Sequence, residues 1–228
     1  MKKFFIVMGM PRSGTTAVRT SLASHPDLKC EYELFNEGNY NDGKPWKKEQ
    51  VADTIAHLKT VDGLHHNYDL PRLEHRKLVW NSLKEMTTHV ILVDRPNGLD
   101  IFLSMFFAKE YGHWHDWVGN KYNKNKKQIP SVVEINPERL KKFLSTWIPK
   151  YLAMHEEVKD FKNHIIVNYE NFSRYTGREL RRIQEYLDVP FRRIVPQTRK
   201  FNRQTKITNI EELREVYSRH TNDTKLVS

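Results

Sequence analysis

Gly9-Met10-Pro11-Arg12-Ser13-Gly14-Thr15-Thr16 has the frame of a phosphate-binding loop but lacks that loop's lysine. Loops of the Walker A type read G-x-x-x-x-G-K-S/T, and here Thr15 stands at the lysine place. The preceding run Phe4-Phe5-Ile6-Val7-Met8 is short and continuously apolar, the pattern of a parallel strand buried on both faces. The following Ala17-Val18-Arg19-Thr20-Ser21-Leu22 reads as a helix, so the stretch is strand, loop, helix. Successive loop N–H groups and the unsatisfied first-turn amides of the helix form a concave anion site, which the Thr15 and Thr16 hydroxyls complete. The cation comes from Arg12, inside the loop. The Walker lysine normally reaches the β and γ phosphates of a nucleoside triphosphate, so its absence argues against ATP or GTP hydrolysis.

The string PRSGTT at residues 11–16, placed after an apolar strand, resembles the 5′-phosphosulfate loop of sulfotransferases that use 3′-phosphoadenosine 5′-phosphosulfate (PAPS). The resemblance implies a three-layer α/β fold like that of P-loop NTPases, with a central, mainly parallel sheet flanked by helices. It also implies that Arg12 contacts the 5′-phosphosulfate while Pro11, Ser13, Gly14, Thr15 and Thr16 wrap the phosphate.

A second apolar run, His89-Val90-Ile91-Leu92-Val93, leads into Asp94-Arg95-Pro96-Asn97-Gly98, near which a helix is expected to begin. Arg95, Asn97, Asp100 and Ser104 match a pattern of the same family, R-x-N-x-x-D-x-x-x-S, in which the Arg and the Ser read the 3′-phosphate. An arginine leaving a strand at the carboxyl edge of the sheet points into the crevice where open α/β folds bind ligands. Ser104 falls about two turns into the helix, and an Arg fork with a hydroxyl suits a phosphate monoester. Further on, His164 to Asn168 reads as a strand running into a loop, and Tyr169-Glu170-Asn171-Phe172 is similar to a family string whose Tyr lies near the adenine in some members. Thr198 to Gln204 is a basic loop whose Arg203 is a candidate for the cofactor phosphates. Ile207-Thr208-Asn209-Ile210-Glu211-Glu212-Leu213 resembles the start of the family's closing helix.

Sulfuryl transfer needs a base for the acceptor's proton and a cation for the charge left on the departing phosphate. Arg12 with the loop amides meets the second need. Glu33, His65 and His66 are the candidates for the first. Glu33 matches the catalytic Glu of a G-E-x-F segment in carbohydrate and tyrosyl-protein sulfotransferases, with Tyr32 in the place of the Gly. If that segment is extended, Glu31 shares a face with Glu33. His65 and His66 lie at an expected strand end and point to opposite sides of an extended chain, so at most one serves. His113-Trp114-His115 has neither partner cysteines nor helical ligand spacing, and no metal is implied.

The 228 residues suffice for one sizeable core, and the repeated strand-then-helix order predicts a single α/β domain over 1–228. Asn136 and Pro137 predict the capped start of a long amphipathic helix toward Val158. A second helix spans Gly177 to Leu187 and ends at Asp188-Val189-Pro190. The net charge of +10, from 38 Lys and Arg against 28 Asp and Glu, favours an anionic ligand. The basic residues are scattered and no nucleic-acid-binding signature occurs, which argues against a nucleic-acid partner. Cys30 is the lone cysteine, so no intrachain disulfide is possible and a small buried thiol is expected. The apolar run at the start is too short for a signal peptide and no later segment reaches membrane-spanning length, giving the expectation of a cytoplasmic protein with no membrane partner. The reading is a PAPS-dependent sulfotransferase that yields adenosine 3′,5′-bisphosphate (PAP) and sulfates a small-molecule or carbohydrate acceptor. A P-loop kinase with a displaced lysine, or a nucleotide-binding module without turnover, are the alternatives. Oligomeric state is not encoded in any feature of the sequence.

Overall fold

A computed structural model describes residues 3–36, 46–69, 73–112, 127–194 and 205–222. Every residue of strand β1 (Phe5–Gly9) is buried, as its continuous apolar run requires of a strand covered on both faces. Helix α1 (Thr15–Leu22) follows directly from the loop, starting two residues earlier than the apolar pattern suggests. Next come β2 (Cys30–Tyr32), α2 (Lys48–Leu58), β3 (Gly63–Asn67), α3 (Leu73–Met86) and β4 (His89–Asp94). The chain continues through α4 (Gly98–Tyr111), β5 (Val132–Val133), α5 (Pro137–Lys159), β6 (His164–Asn168), α6 (Tyr169–Arg174), α7 (Thr176–Leu187), β7 (Lys206–Ile207) and α8 (Ile210–Asn222).

Five strands form one parallel sheet in the order β2-β3-β1-β4-β6, flanked by helices. β1 lies between β3 and β4, so the chain passes from β1 to the edge strand β2, returns to place β3 beside β1, and then crosses to the other side of β1. That reversal leaves a crevice at the carboxyl end of β1, where α/β sheets bind ligands. The register pairs Val7 with both His65 and Ile91, and Met8 with both His66 and Leu92. Neighbouring residues of β3 therefore face opposite layers. On one face, Phe5, Val7, Ile91, Val93 and Val167 pack with Val18 and Leu22 of α1 and Leu180, Ile183 and Leu187 of α7. On the other, His66 stacks against Trp80 of α3, with ring centroids 6.2 Å apart.

The chain divides into two compact units, residues 1–94 with 154–197 and residues 95–153 with 198–228. The first holds the five-stranded sheet. In the second, β5 and β7 pair in parallel, and the Asn209 side chain brackets Ile135 by donating to its carbonyl (2.8 Å) and accepting from its N–H (3.1 Å). There the Tyr217 hydroxyl accepts from Gly98 N–H (3.2 Å) and donates to the Pro96 carbonyl (3.1 Å), fixing the entry to α4. α4 is capped by Asn97, whose Oδ1 accepts from Asp100 N–H at 3.2 Å. Asn136 does the same for α5 through Glu138 N–H at 2.9 Å, with Pro137 in the first turn. α7 ends at Asp188 in the left-handed conformation.

Two sequence expectations need correction. The segment after β6 is a helix and not a loop, because the Asn168 side chain accepts from Asn171 N–H (3.0 Å) and starts α6 at the strand's last residue. Glu31 and Glu33 do not share a face, because Glu33 leaves β2 with φ at +40°. Glu31 instead meets His57 of α2 at 3.1 Å.

Cys30 is buried in the layer under α1, and desolvation pushes its thiol up to about 12, against the opposing pull of Arg19. At about pH 8 roughly one thiol in ten thousand is then ionised. Alkylation of Cys30 by iodoacetamide should run at least ~100-fold slower in the native protein than in denaturant, because only the thiolate reacts. Equal rates, followed by mass spectrometry, would contradict this burial.

Candidate functional site

The loop leaves β1 at Gly9, where an added Cβ would meet Ser13 Oγ, the Val93 carbonyl and the Thr15 methyl; the glycine is there because the chain turns back onto itself. Ser13 N–H donates to the Met10 carbonyl at 3.0 Å, closing the turn. Arg12 holds φ at +71° and Gly14 at +98°. Gly14 is the N-cap of α1 and has no side chain to cap the first-turn amides. Ser13 is 1% exposed, and its Oγ is buried without a hydrogen-bond partner. A buried hydroxyl and helix amides with no side-chain cap, beside an arginine, are groups that an anion would satisfy.

Tyr169, the first residue of α6, lays its ring directly over Gly14. A Cβ at Gly14 would fall within the ring's Cδ2 and Cε2 atoms, so glycine is required there twice over, by conformation and by space.

Glu33 sits just beyond β2 and is 6% exposed. Its N–H donates to the His65 carbonyl (3.0 Å), extending the ladder by one bond past the end of the strand. One carboxylate oxygen accepts from Asn36 Nδ2 at 2.7 Å and the other from Asn67 Nδ2. His65 Nδ1 lies 3.7 Å from Oε1. The Asn67 Oδ1 in turn faces the Thr15 hydroxyl at 3.5 Å. Asn36 and Asn67 were not singled out from sequence. Asn67 is the last residue of β3, one strand over from the loop, and its position at a carboxyl strand end was the one available signal.

The other candidates are distributed as follows. His65 is fully buried beside Tyr32, with ring centroids 5.2 Å apart. His66 is buried on the opposite face between Phe35 and Trp80. Arg95 and Ser104 belong to the second unit, where Arg95 Nη2 lies 3.4 Å from Asp100 Oδ2 and Ser104 is half-buried on α4. Arg203, together with His113, Trp114 and His115, lies outside the described residues. Among the described residues no group of three or more His, Cys, Asp or Glu side chains could hold a metal ion. No described helix is long and apolar enough to cross a membrane.

A family model described as "Sulfotransferase family" matches residues 4–139, more than half of the chain and all of the loop. The chain belongs to the sulfotransferase family. No curated protein matches it significantly in sequence. Among solved structures, a sulfotransferase from Alicyclobacillus acidocaldarius superposes with a TM-score of 0.53 at 11% identity, over 97% of this chain and 94% of that one. The sulfotransferase domain of the Synechococcus olefin synthase gives 0.52 at 15% identity, over 83% and 74%. The sulfotransferase domain from the curacin biosynthetic pathway gives 0.51 at 11% identity, over 99% and 98%. At such identities the likeness is one of fold.

Gly14→Ala should destabilise the protein by more than about 2 kcal/mol in urea unfolding, because it adds left-handed strain to a collision with the Tyr169 ring. In the Tyr169→Ala background the cost should shrink to the strain alone, about 1–2 kcal/mol. Additive effects of the two changes would contradict the stacking of Tyr169 on the loop.

Proposed function

We propose that this sulfotransferase-family chain, acting as one functional domain over 1–228, transfers a sulfuryl group from PAPS to a hydroxyl or amine of a small-molecule or carbohydrate acceptor. The observation that carries the reading is the lysine-free loop whose buried Ser13 Oγ lacks a partner, with a carboxylate, Glu33, linked to that same loop through Asn67 and Thr15. These residues fit the donor's anionic end: an orphaned hydroxyl, first-turn amides with no side-chain cap and a guanidinium are what a phosphosulfate needs.

Pro11 to Thr16 would hold the 5′-phosphosulfate, with Arg95 and Ser104 serving the 3′-phosphate, Tyr169 the adenine and Arg203 the phosphates. When bound, PAPS supplies an electrophilic sulfur and a phosphate leaving group. Arg12 and the loop amides are then placed to neutralise negative charge as it develops at the loop, the electrostatic part of the work. Glu33 takes the acceptor's proton. The bonds from Asn36 and Asn67, one to each oxygen, fix the orientation of its carboxylate. His65 and His66 are the less suitable bases, since one is fully buried behind Glu33 and the other is packed among aromatic rings on the far face.

Incubation with sulfur-radiolabelled PAPS and a panel of phenols, sugars and amines tests the reading. Transfer to at least one acceptor is expected, falling about 100- to 10,000-fold in Glu33→Gln, the usual worth of a general base. Arg12→Ala should lose turnover with its melting temperature nearly unchanged. Transfer undiminished in both variants would overturn these roles.

A further inference from the structure

We propose that Asn67 is a positioning residue that reports the state of the phosphate loop to Glu33, through the single hydroxyl proton of Thr15. The inference rests on the donor-site reading above and adds a coupling within it.

The chemistry of the three groups fixes the direction of each bond. The Glu33 carboxylate only accepts, so Asn67 must present its Nδ2 to Oε1, as the structure has it. The Asn67 carbonyl is thereby turned toward Thr15, and since it only accepts, Thr15 must donate. A threonine hydroxyl has one proton. While it is given to Asn67 it is not available to an anion in the loop, and an anion that takes it removes a bond from Asn67. The Thr15 to Asn67 distance of 3.5 Å is long, so the exchange costs little, whereas the Asn67 to Glu33 bond is made to a charged acceptor. Thr15 is 3% exposed and Glu33 6%, so water competes poorly for either end. Filling the loop therefore frees the Asn67 carbonyl and alters the hold on Glu33, linking donor occupancy to the placement of the base. Of the other groups against Glu33, Asn36 grips the opposite oxygen and is neutral, and His65 from β3 stands 3.7 Å from Oε1. Asn67 is the residue that is bonded to both ends, giving its Nδ2 to Glu33 and its Oδ1 to Thr15.

The test follows the side-chain carboxyl carbon resonance of Glu33, assigned by its loss in Glu33→Gln, as a function of pH. It is recorded in the wild type, Thr15→Val, Asn67→Ala and the double variant, with and without saturating PAP. Thr15→Val should move the Glu33 midpoint by on the order of half a pH unit in the wild-type background and leave it unmoved in the Asn67→Ala background. Thr15→Ser, which keeps the hydroxyl, should restore the wild-type midpoint and guards against a folding defect. PAP should move the midpoint further in the wild type than in Asn67→Ala, the remainder being the direct field of the bound charge. Equal shifts in the two backgrounds, in either comparison, overturn the proposal. If PAP does not bind the wild type by calorimetry, the donor-site reading fails instead, and the ligand-free comparison alone decides whether the link exists.

Discussion

The turn between β1 and α1 is the constraint on which the rest of the structure depends. A strand buried on both faces has to end, reverse and start a helix within five residues, and Gly9 and Gly14 permit that because neither has room for a side chain. With the turn fixed, the amides of α1 open toward the carboxyl end of the central strand, where β3 and β4 also end. Tyr169 then closes over Gly14 from the first turn of α6, so the last strand of the sheet helps to hold the loop made by the first. The two candidate residues of opposite charge, Arg12 and Glu33, both have positive φ, and beside them only Asp188 does so among the described non-glycine residues. Asp188 ends a helix, a routine use of that conformation. Arg12 and Glu33 are strained without such a need, and backbone strain of this kind concentrates at functional sites.

Much of the fold was legible because its signals are local. The apolar runs at 4–8 and 89–93 gave β1 and β4, Asn136-Pro137 gave the start of α5, and Asp188 gave the end of α7. What was not legible depends on pairing or on a single cap. Nothing within Tyr169-Glu170-Asn171-Phe172 distinguishes loop from helix until the Asn168 side chain is seen to cap Asn171. The two-residue strands β5 and β7 exist only as partners of each other and have no pattern of their own.

The candidate site divides the same way. The loop is a contiguous motif and could be read directly. Glu33 could be named from its segment, but its surroundings come from three separate places: Asn36 in the following turn, Asn67 at the end of β3, and Thr15 in the loop. Strand order β2-β3-β1 is what brings these together, and strand order is not written in any single segment. The register also settles a matter that alternation alone left open, by sending His65 to the Glu33 side and His66 to the aromatic layer.

Under the proposed function, a loop of this frame, with arginine inside it and no Walker lysine, serves a sulfated nucleotide and not a nucleoside triphosphate. Calorimetric titration with adenosine 3′,5′-bisphosphate, set against ATP with magnesium, tests it most directly. Saturable binding of the bisphosphate without magnesium, with weak or no binding of ATP, is the expected result. Magnesium-dependent ATP binding with no response to the bisphosphate would contradict it and make the chain a phosphotransferase on a sulfotransferase fold.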